Sequence, residues 1–221
     1  MKTFSATADS TSTIGYCRYG ATSWNTGYDT GACQGAYEGT EASDSRVGIM
    51  VFQNAGENLK GRAIKSITFS ITCPGAGSGS SSKVLSFRKA NYQYINKNVK
   101  GSDQVGDSLG TLTGKFYLNT STHVLSSTSN SAFFDALKQY LCEGNCTLII
   151  YNGEVSDSDA GDYSSNYARI NSITMTVEYE EATVWYHNGS QWIECCVYYC
   201  NGGTWVQVQP YYYSGGSWIL T

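Results

Sequence analysis

Proline and histidine are scarce in this chain, with two of each among 221 residues. The two histidines, His123 and His187, stand far apart, His123 in a Ser/Thr-rich stretch and His187 beside a turn. Neither accompanies a serine or cysteine in a nucleophile motif, and GxSxG and HExxH are both missing, so the sequence offers no recognisable catalytic constellation. Charge is also sparse. Only 14% of residues are Asp, Glu, Lys or Arg, the net charge is −4 and the pI is about 5.1, with the basic residues scattered. A nucleic-acid partner would require a basic stripe, so that class is set aside.

No eighteen apolar residues run together, which excludes a membrane-spanning helix from the expectations. The opening stretch, MKTFSATADSTSTIGY, lacks the apolar core of a secretory signal. The expected place of synthesis is therefore a reducing cytoplasm. In that setting the eight cysteines, at 17, 33, 73, 142, 146, 195, 196 and 200, read as free, half-buried thiols. Cys196 and Cys200 in an extended strand would lie about 13 Å apart, too far to bridge. Cys142 with Cys146, or Cys17 with Cys33, could close a loop. The CxxxC pairs lack partners for a zinc site.

Carboxylates remain. Glu154, Asp157, Asp159 and Asp162 cluster in the loop NGEVSDSDAGDY. Three readings are open for it: a solvated loop, a calcium site through Asp157, Asp159 and Asp162, or a glycosidase-like carboxyl pair. The loop lacks the sixth-position glycine and closing glutamate of an EF-hand, and the solvated loop is the expectation. No cofactor is expected. The sequons at Asn119, Asn145 and Asn188 are of the frequency chance gives in so Ser/Thr-rich a chain.

What the chain has in quantity is glycine (24) and tyrosine (18), a composition suited to antiparallel strands joined by Gly/Ser/Asn turns. The clearest pattern is at the end. Trp192, Trp205 and Trp218 are thirteen residues apart, as are Gly189, Gly202 and Gly215. The units VWYHNGSQWIECC, VYYCNGGTWVQVQ and PYYYSGGSWILT each hold an aromatic run, a small-residue turn, and Trp with an aliphatic neighbour. Asn-Gly and Ser-Gly-Gly turns predict hairpins, and the simplest assembly is a four-stranded antiparallel meander. Period two makes both faces apolar and aromatic.

A module of about forty residues with two such faces needs outside cover. Three covers are open: the preceding domain, identical copies in an oligomer, or a ligand stacked on the rings. Trp192, Tyr198, Trp205, Gln207, Tyr211, Tyr213 and Trp218 are the candidate binding positions. Their flat apolar rings, hydroxyls and amides suit a glycan or an assembly surface.

Residues 1–181 read as one domain and 182–221 as the repeat. Strands are expected over Thr3 to Thr7, Ile14 to Tyr19, Val84 to Ala90, Lys115 to Leu118 and Thr147 to Asn152. The nearly all-apolar run Val47–Phe52 predicts a central strand covered on both sides. Ile67, Phe69, Ile71 and Cys73, and later Ile173, Met175, Val177 and Tyr179, alternate as strands with one wet face. Gly20 to Ser45 and Pro74 to Ser82 read as loops. Phe133, Phe134, Leu137, Tyr140 and Leu141 follow helical spacing, with Gly144 as a stop. Eight or so strands and one short helix predict an all-β, antiparallel jelly-roll β-sandwich, followed by a small C-terminal β-hairpin-repeat module.

The stretches RVGIMVFQNAGENLKGRAIKSITFSIT and NYARINSITMTVEY resemble the jelly-roll modules of virion proteins from tailed bacteriophages and prophages of Gram-positive bacteria. They are distantly similar to carbohydrate-binding sandwich modules of secreted cell-wall proteins. The YYYSGGSWIL-type units are similar to C-terminal tips of phage tail and baseplate proteins. The resemblance implies a non-enzymatic structural or adhesion protein of a tail fibre, baseplate or head fibre, assembled in the bacterial cytosol and released by lysis into the virion. Its implied partners are further copies, trimers among them, other virion proteins and host-surface glycan. A free carbohydrate-binding module or glycan-active surface protein is the alternative.

Overall fold

A computed structural model describes residues 1–35, 45–73, 83–114, 122–127, 131–153, 167–180, 184–187, 190, 192–195, 198–207, 211–214 and 217–220. The chain is all-β. Numbered along the sequence, β1 (Lys2–Ala8), β12 (Ser172–Glu180), β6 (Ala63–Thr72) and β9 (Thr122–Ser126) form a four-stranded antiparallel sheet in that spatial order. A six-stranded sheet runs β3 (Asn25–Thr26), β2 (Ile14–Arg18), β5 (Arg46–Val51), β10 (Thr147–Ile150), β7 (Lys83–Ala90), β8 (Val105–Gly114). A small pair, β4 (Ala32–Gln34) and β11 (Ala168–Ile170), forms its own ladder and packs against the six-stranded sheet.

Setting aside β2, β3, β4 and β11, the eight remaining strands have the order 1-8-3-6 in one sheet and 2-7-4-5 in the other. That interleaving is the double Greek key of a jelly roll. It follows from the chain's habit of sending successive strands to opposite sheets. First and last strands then end as neighbours, with Lys2 opposite Tyr179 and Ala8 opposite Ile173.

Alternation decides which side chains fill the space between the sheets. Ile67, Phe69 and Ile71 from β6 are fully buried, as are Ile173, Met175 and Val177 from β12, whereas the serines and threonines between them are half-buried. Opposite them lie Met50, Leu85, Phe87, Leu148 and Ile150. Phe69 is the hub: its ring centroid lies 6.1 Å from both Phe52 and Phe87, 6.3 Å from Phe133 and 5.8 Å from Phe134. The expected helix is α3 (Ser131–Cys142), which packs against β6 and β8 and buries Phe133, Phe134, Leu137, Tyr140 and Leu141. It ends where expected, Gly144 N–H donating to Leu141 O at 2.9 Å.

The continuous apolar run at Val47 has its expected cause. Met50 and Phe52 face the inter-sheet core, whereas Val47, Ile49 and Val51 join Ile149, Ala90 and Tyr151 in a second apolar layer on the opposite face. Tyr19, Trp24 and Ile95 cover that layer. One buried amide completes a ladder. Gln34 donates Nε2 to Val84 O at 2.6 Å and accepts from Ser86 N at 2.9 Å, along a part of β7 that β10 does not reach.

Several elements differ from expectation. His123 belongs to β9, not to a loop, and β8 was not foreseen because Val105–Gly114 is polar and Gly-rich. Instead of one helix there are three among the described residues, the others being the short α1 (Ala55–Leu59) and α2 (Gly101–Gln104), which have too few residues to show periodicity. The stretch expected as a loop from Gly20 to Ser45 contains β3 and β4. The expected strand at 115–118 and connector at 74–82 lie outside the described residues. β12 ends at Glu180, where Lys65 Nζ approaches Glu180 Oε2 at 2.9 Å.

Phe69→Ala is expected to cost about 3–5 kcal/mol, the usual loss for truncating a buried phenylalanine. The exposed Val124→Ala should change stability by less than about 0.5 kcal/mol. Urea unfolding of both variants checks the pair. Equal midpoints would remove Phe69 from the centre of the core.

Candidate functional site

In the C-terminal repeat, the expected four-stranded meander is replaced by three two-stranded antiparallel hairpins. They are β13 (Val184–His187) with β14 (Trp192–Cys195), β15 (Tyr198–Asn201) with β16 (Thr204–Gln207), and β17 (Tyr211–Ser214) with β18 (Ser217–Leu220). The difference lies in where each ladder stops: among the described residues every pairing stays within its own hairpin. In the middle unit Gly202 and Gly203, with φ of 58° and 89°, supply the positive-φ turn that closes Asn201 on Thr204.

Register then sorts the candidate positions. Each repeat tryptophan pairs with the residue five before it: His187 with Trp192, Cys200 with Trp205, and Tyr213 with Trp218. Two positions further from each turn, Trp185 pairs with Glu194, Tyr198 with Gln207, and Tyr211 with Leu220. Residues two apart share a face. Trp192, Tyr198, Trp205, Gln207, Tyr211, Tyr213 and Trp218 thus all occupy the equivalent face of their hairpins. The other face takes Ile193, Val206 and Ile219, also thirteen apart.

The other sequence candidates fare differently. Asp157, Asp159 and Asp162, with Glu154, lie outside the described residues. Among the described residues, no three His, Cys, Asp or Glu come together as a metal site would require, and no helix is long and apolar enough to cross a membrane. Cys17, Cys33, Cys73, Cys142, Cys146 and Cys200 form no disulfide. Cys33 is fully buried with Tyr167, beside Arg46, whose guanidinium lies 4.6 Å from the Tyr16 ring centre and 5.6 Å from that of Tyr167. This cluster is packed shut.

A cleft that the sequence did not announce opens at one end of the six-stranded sheet, with a volume of about 620 Å³. Tyr19, just after β2, stacks on Tyr151, just after β10, at 4.9 Å between ring centres and 8° between planes. Arg88 on β7 is fixed above the same ring, its Nε donating to Tyr151 O at 2.9 Å. Asp107 on β8 is exposed and without a partner among the described residues. Asn91 is held by Nδ2 bonds to Asp103 O and Val105 O, and Asn145 by its bond to Tyr140 O at 2.8 Å.

The cleft's foundation is Tyr140. Its hydroxyl donates to Thr147 O and accepts from Ala90 N and Gln93 Nε2, all within 3.1 Å. Gln93 Oε1 in turn accepts from Cys146 N and Thr147 N. Burial pushes the Tyr140 phenol up, so it is a fixed strut. No linear motif reports this cleft: its residues come from five separate segments. The sole local hint was the polar, Gly-rich texture of β8.

Burial also lifts the thiol of Cys17 to about 11 and that of Cys73 to about 12, from an ordinary 9.0. A raised folded-state value means the unfolded chain releases these protons first, so stability is full below pH 9 and falls as pH rises toward 12. Buried Tyr140 and Tyr167 act with the same sign. The urea midpoint should decline across that interval, with a shallower decline in Cys73→Ala. An unchanged slope in that variant would contradict a buried, protonated Cys73. Compared with known proteins, the sequence matches no family model and no curated protein.

Proposed function

We infer that this chain is a non-enzymatic structural and adhesion protein of a bacteriophage virion, of the tail-fibre, baseplate or head-fibre kind, whose C-terminal repeat meets carbohydrate on the host surface. One observation carries the reading: seven aromatic and amide positions, five of them (Trp192, Trp205 and Trp218, and Tyr198 and Tyr211) recurring at thirteen residues, fall on the equivalent face of three successive hairpins. Rings offer flat apolar faces to the C–H side of a sugar, while Gln207 and the tyrosine hydroxyls are of the type that bonds its hydroxyls. Three short units in series favour an extended ligand such as a polysaccharide, where modest contacts add by multivalency.

The aliphatic positions Ile193, Val206 and Ile219 on the opposite face support assembly with further copies or other virion proteins, because a two-stranded hairpin cannot shelter an apolar face alone. The jelly-roll sandwich would serve as the rigid body that carries the repeat. A free carbohydrate-binding module is the second reading. It is favoured by the sandwich core, which closes within a single chain with Ile67, Phe69 and Ile71 fully buried.

Two measurements test the reading. Light scattering after size exclusion should find an oligomer at micromolar concentration, and a stable monomer would favour the free module. Binding to cell-wall polysaccharide from Gram-positive bacteria should weaken about tenfold or more in the Trp205→Ala, Trp218→Ala double variant, the scale for truncating aromatic anchors. Undiminished binding would remove the repeat as the receptor surface.

A further inference from the structure

The cleft beside Tyr19 lies outside the repeat, and nothing in the proposed function uses it. We propose that it is a second binding site, shaped for one neutral, polyhydroxylated ligand of monosaccharide size such as a hexose or N-acetylhexosamine. This goes beyond the reading of the repeat and does not depend on it.

The backbone supplies the first argument. Pairing between β7 and β8 is regular from Lys83 to Phe87, then slips twice, between Phe87 and Arg88 and between Arg88 and Ala90. Phe87 faces Gly110, Arg88 faces Ser108 and Ala90 faces Val105, so β8 carries an extra residue at each slip. Bulges cost ladder hydrogen bonds and re-aim the side chains beside them. Both fall where β7 and β8 line the cleft, and the second contains Asp107. Gly106 lets β8 stay close there, since a Cβ would come within 2.9 Å of Lys89 O and 3.1 Å of Asn91 Oδ1.

Chemistry supplies the second. Arg88 and Lys89 are matched by Asp107 and Glu143, so the lining carries no formal excess of either sign. A phosphate or a metal ion would gain little from such a balance, whereas a hydroxyl, which both donates and accepts, finds partners of both kinds. Arg88 commits Nε to Tyr151 O, leaving its terminal nitrogens as donors, and Asp107 offers both oxygens. Tyr19 is half-exposed, and its stacking on Tyr151 holds it as a flat platform for the apolar face of a sugar ring. A volume of about 620 Å³ in an open cleft is ample for one such ring.

The experiment is a titration of the full ¹⁵N-labelled chain with D-glucose, D-galactose and N-acetyl-D-glucosamine in turn, with sodium phosphate as the anionic control. At least one sugar should give saturable shifts at the amides of Asn91, Gly106 and Asn145, with millimolar affinity. Asp107→Ala, at an exposed position that the fold does not need, should weaken it about tenfold, as expected for losing a hydrogen bond to a charged group. Tyr19→Leu should weaken it too, and the Trp205→Ala, Trp218→Ala variant should leave it unchanged. No saturable shift with any of the three sugars would overturn the proposal. So would equal shifts with phosphate, or undiminished affinity in Asp107→Ala. Shifts confined to residues 192–220 would overturn the cleft while leaving the repeat's proposed role standing.

Discussion

The meeting of four phenylalanine rings around a fifth, Phe69, is the contact on which the architecture depends. Phe69 comes from one sheet, Phe87 from the other, Phe52 from the end of β5, and Phe133 and Phe134 from α3. Two sheets whose strands interleave in sequence can close only if a late helix and an early strand agree on one packed centre. The offset and tilted ring geometries, with centroids between 4.7 and 6.3 Å, are those aromatic clusters favour. Everything else on the sandwich is positioned from that centre outward.

Working outward, the six-stranded sheet has a second apolar layer on its far face, and this layer is what makes the cleft possible. An ordinary sandwich leaves the far face wet. Here Val47, Ile49, Val51 and Ile149 draw the loops bearing Tyr19, Trp24 and Ile95 down onto the sheet. Tyr140 and Gln93 tie the segment after β7, which bears Ile95, to the α3–β10 connection through backbone groups. The cleft walls are therefore braced by buried hydrogen bonds, although the residues at its mouth are polar and exposed.

The sandwich was largely readable because its strands obey simple periods. Ile67-Phe69-Ile71 and Ile173-Met175-Val177 alternate, the Val47 run is apolar throughout because both its faces are covered, and α3 keeps helical spacing. What escaped reading had a physical cause in each case. β8 breaks alternation at its two bulges and is rich in glycine and polar residues, so it has no period to detect. His123 sits in an edge strand whose neighbours are mostly polar. The cleft was invisible because Tyr19, Arg88, Asp107 and Asn145 are joined by topology alone. In the repeat, the positions and the turns were legible, but not the grouping into separate hairpins, which is set by where each ladder stops.

That grouping has a genetic corollary. Since every described backbone pairing in the tail stays inside its own unit, duplication or loss of one unit by recombination would shift no register in the units that remain or in the sandwich. The tail can thus change length in whole steps during evolution while the pairing of the sandwich is left untouched.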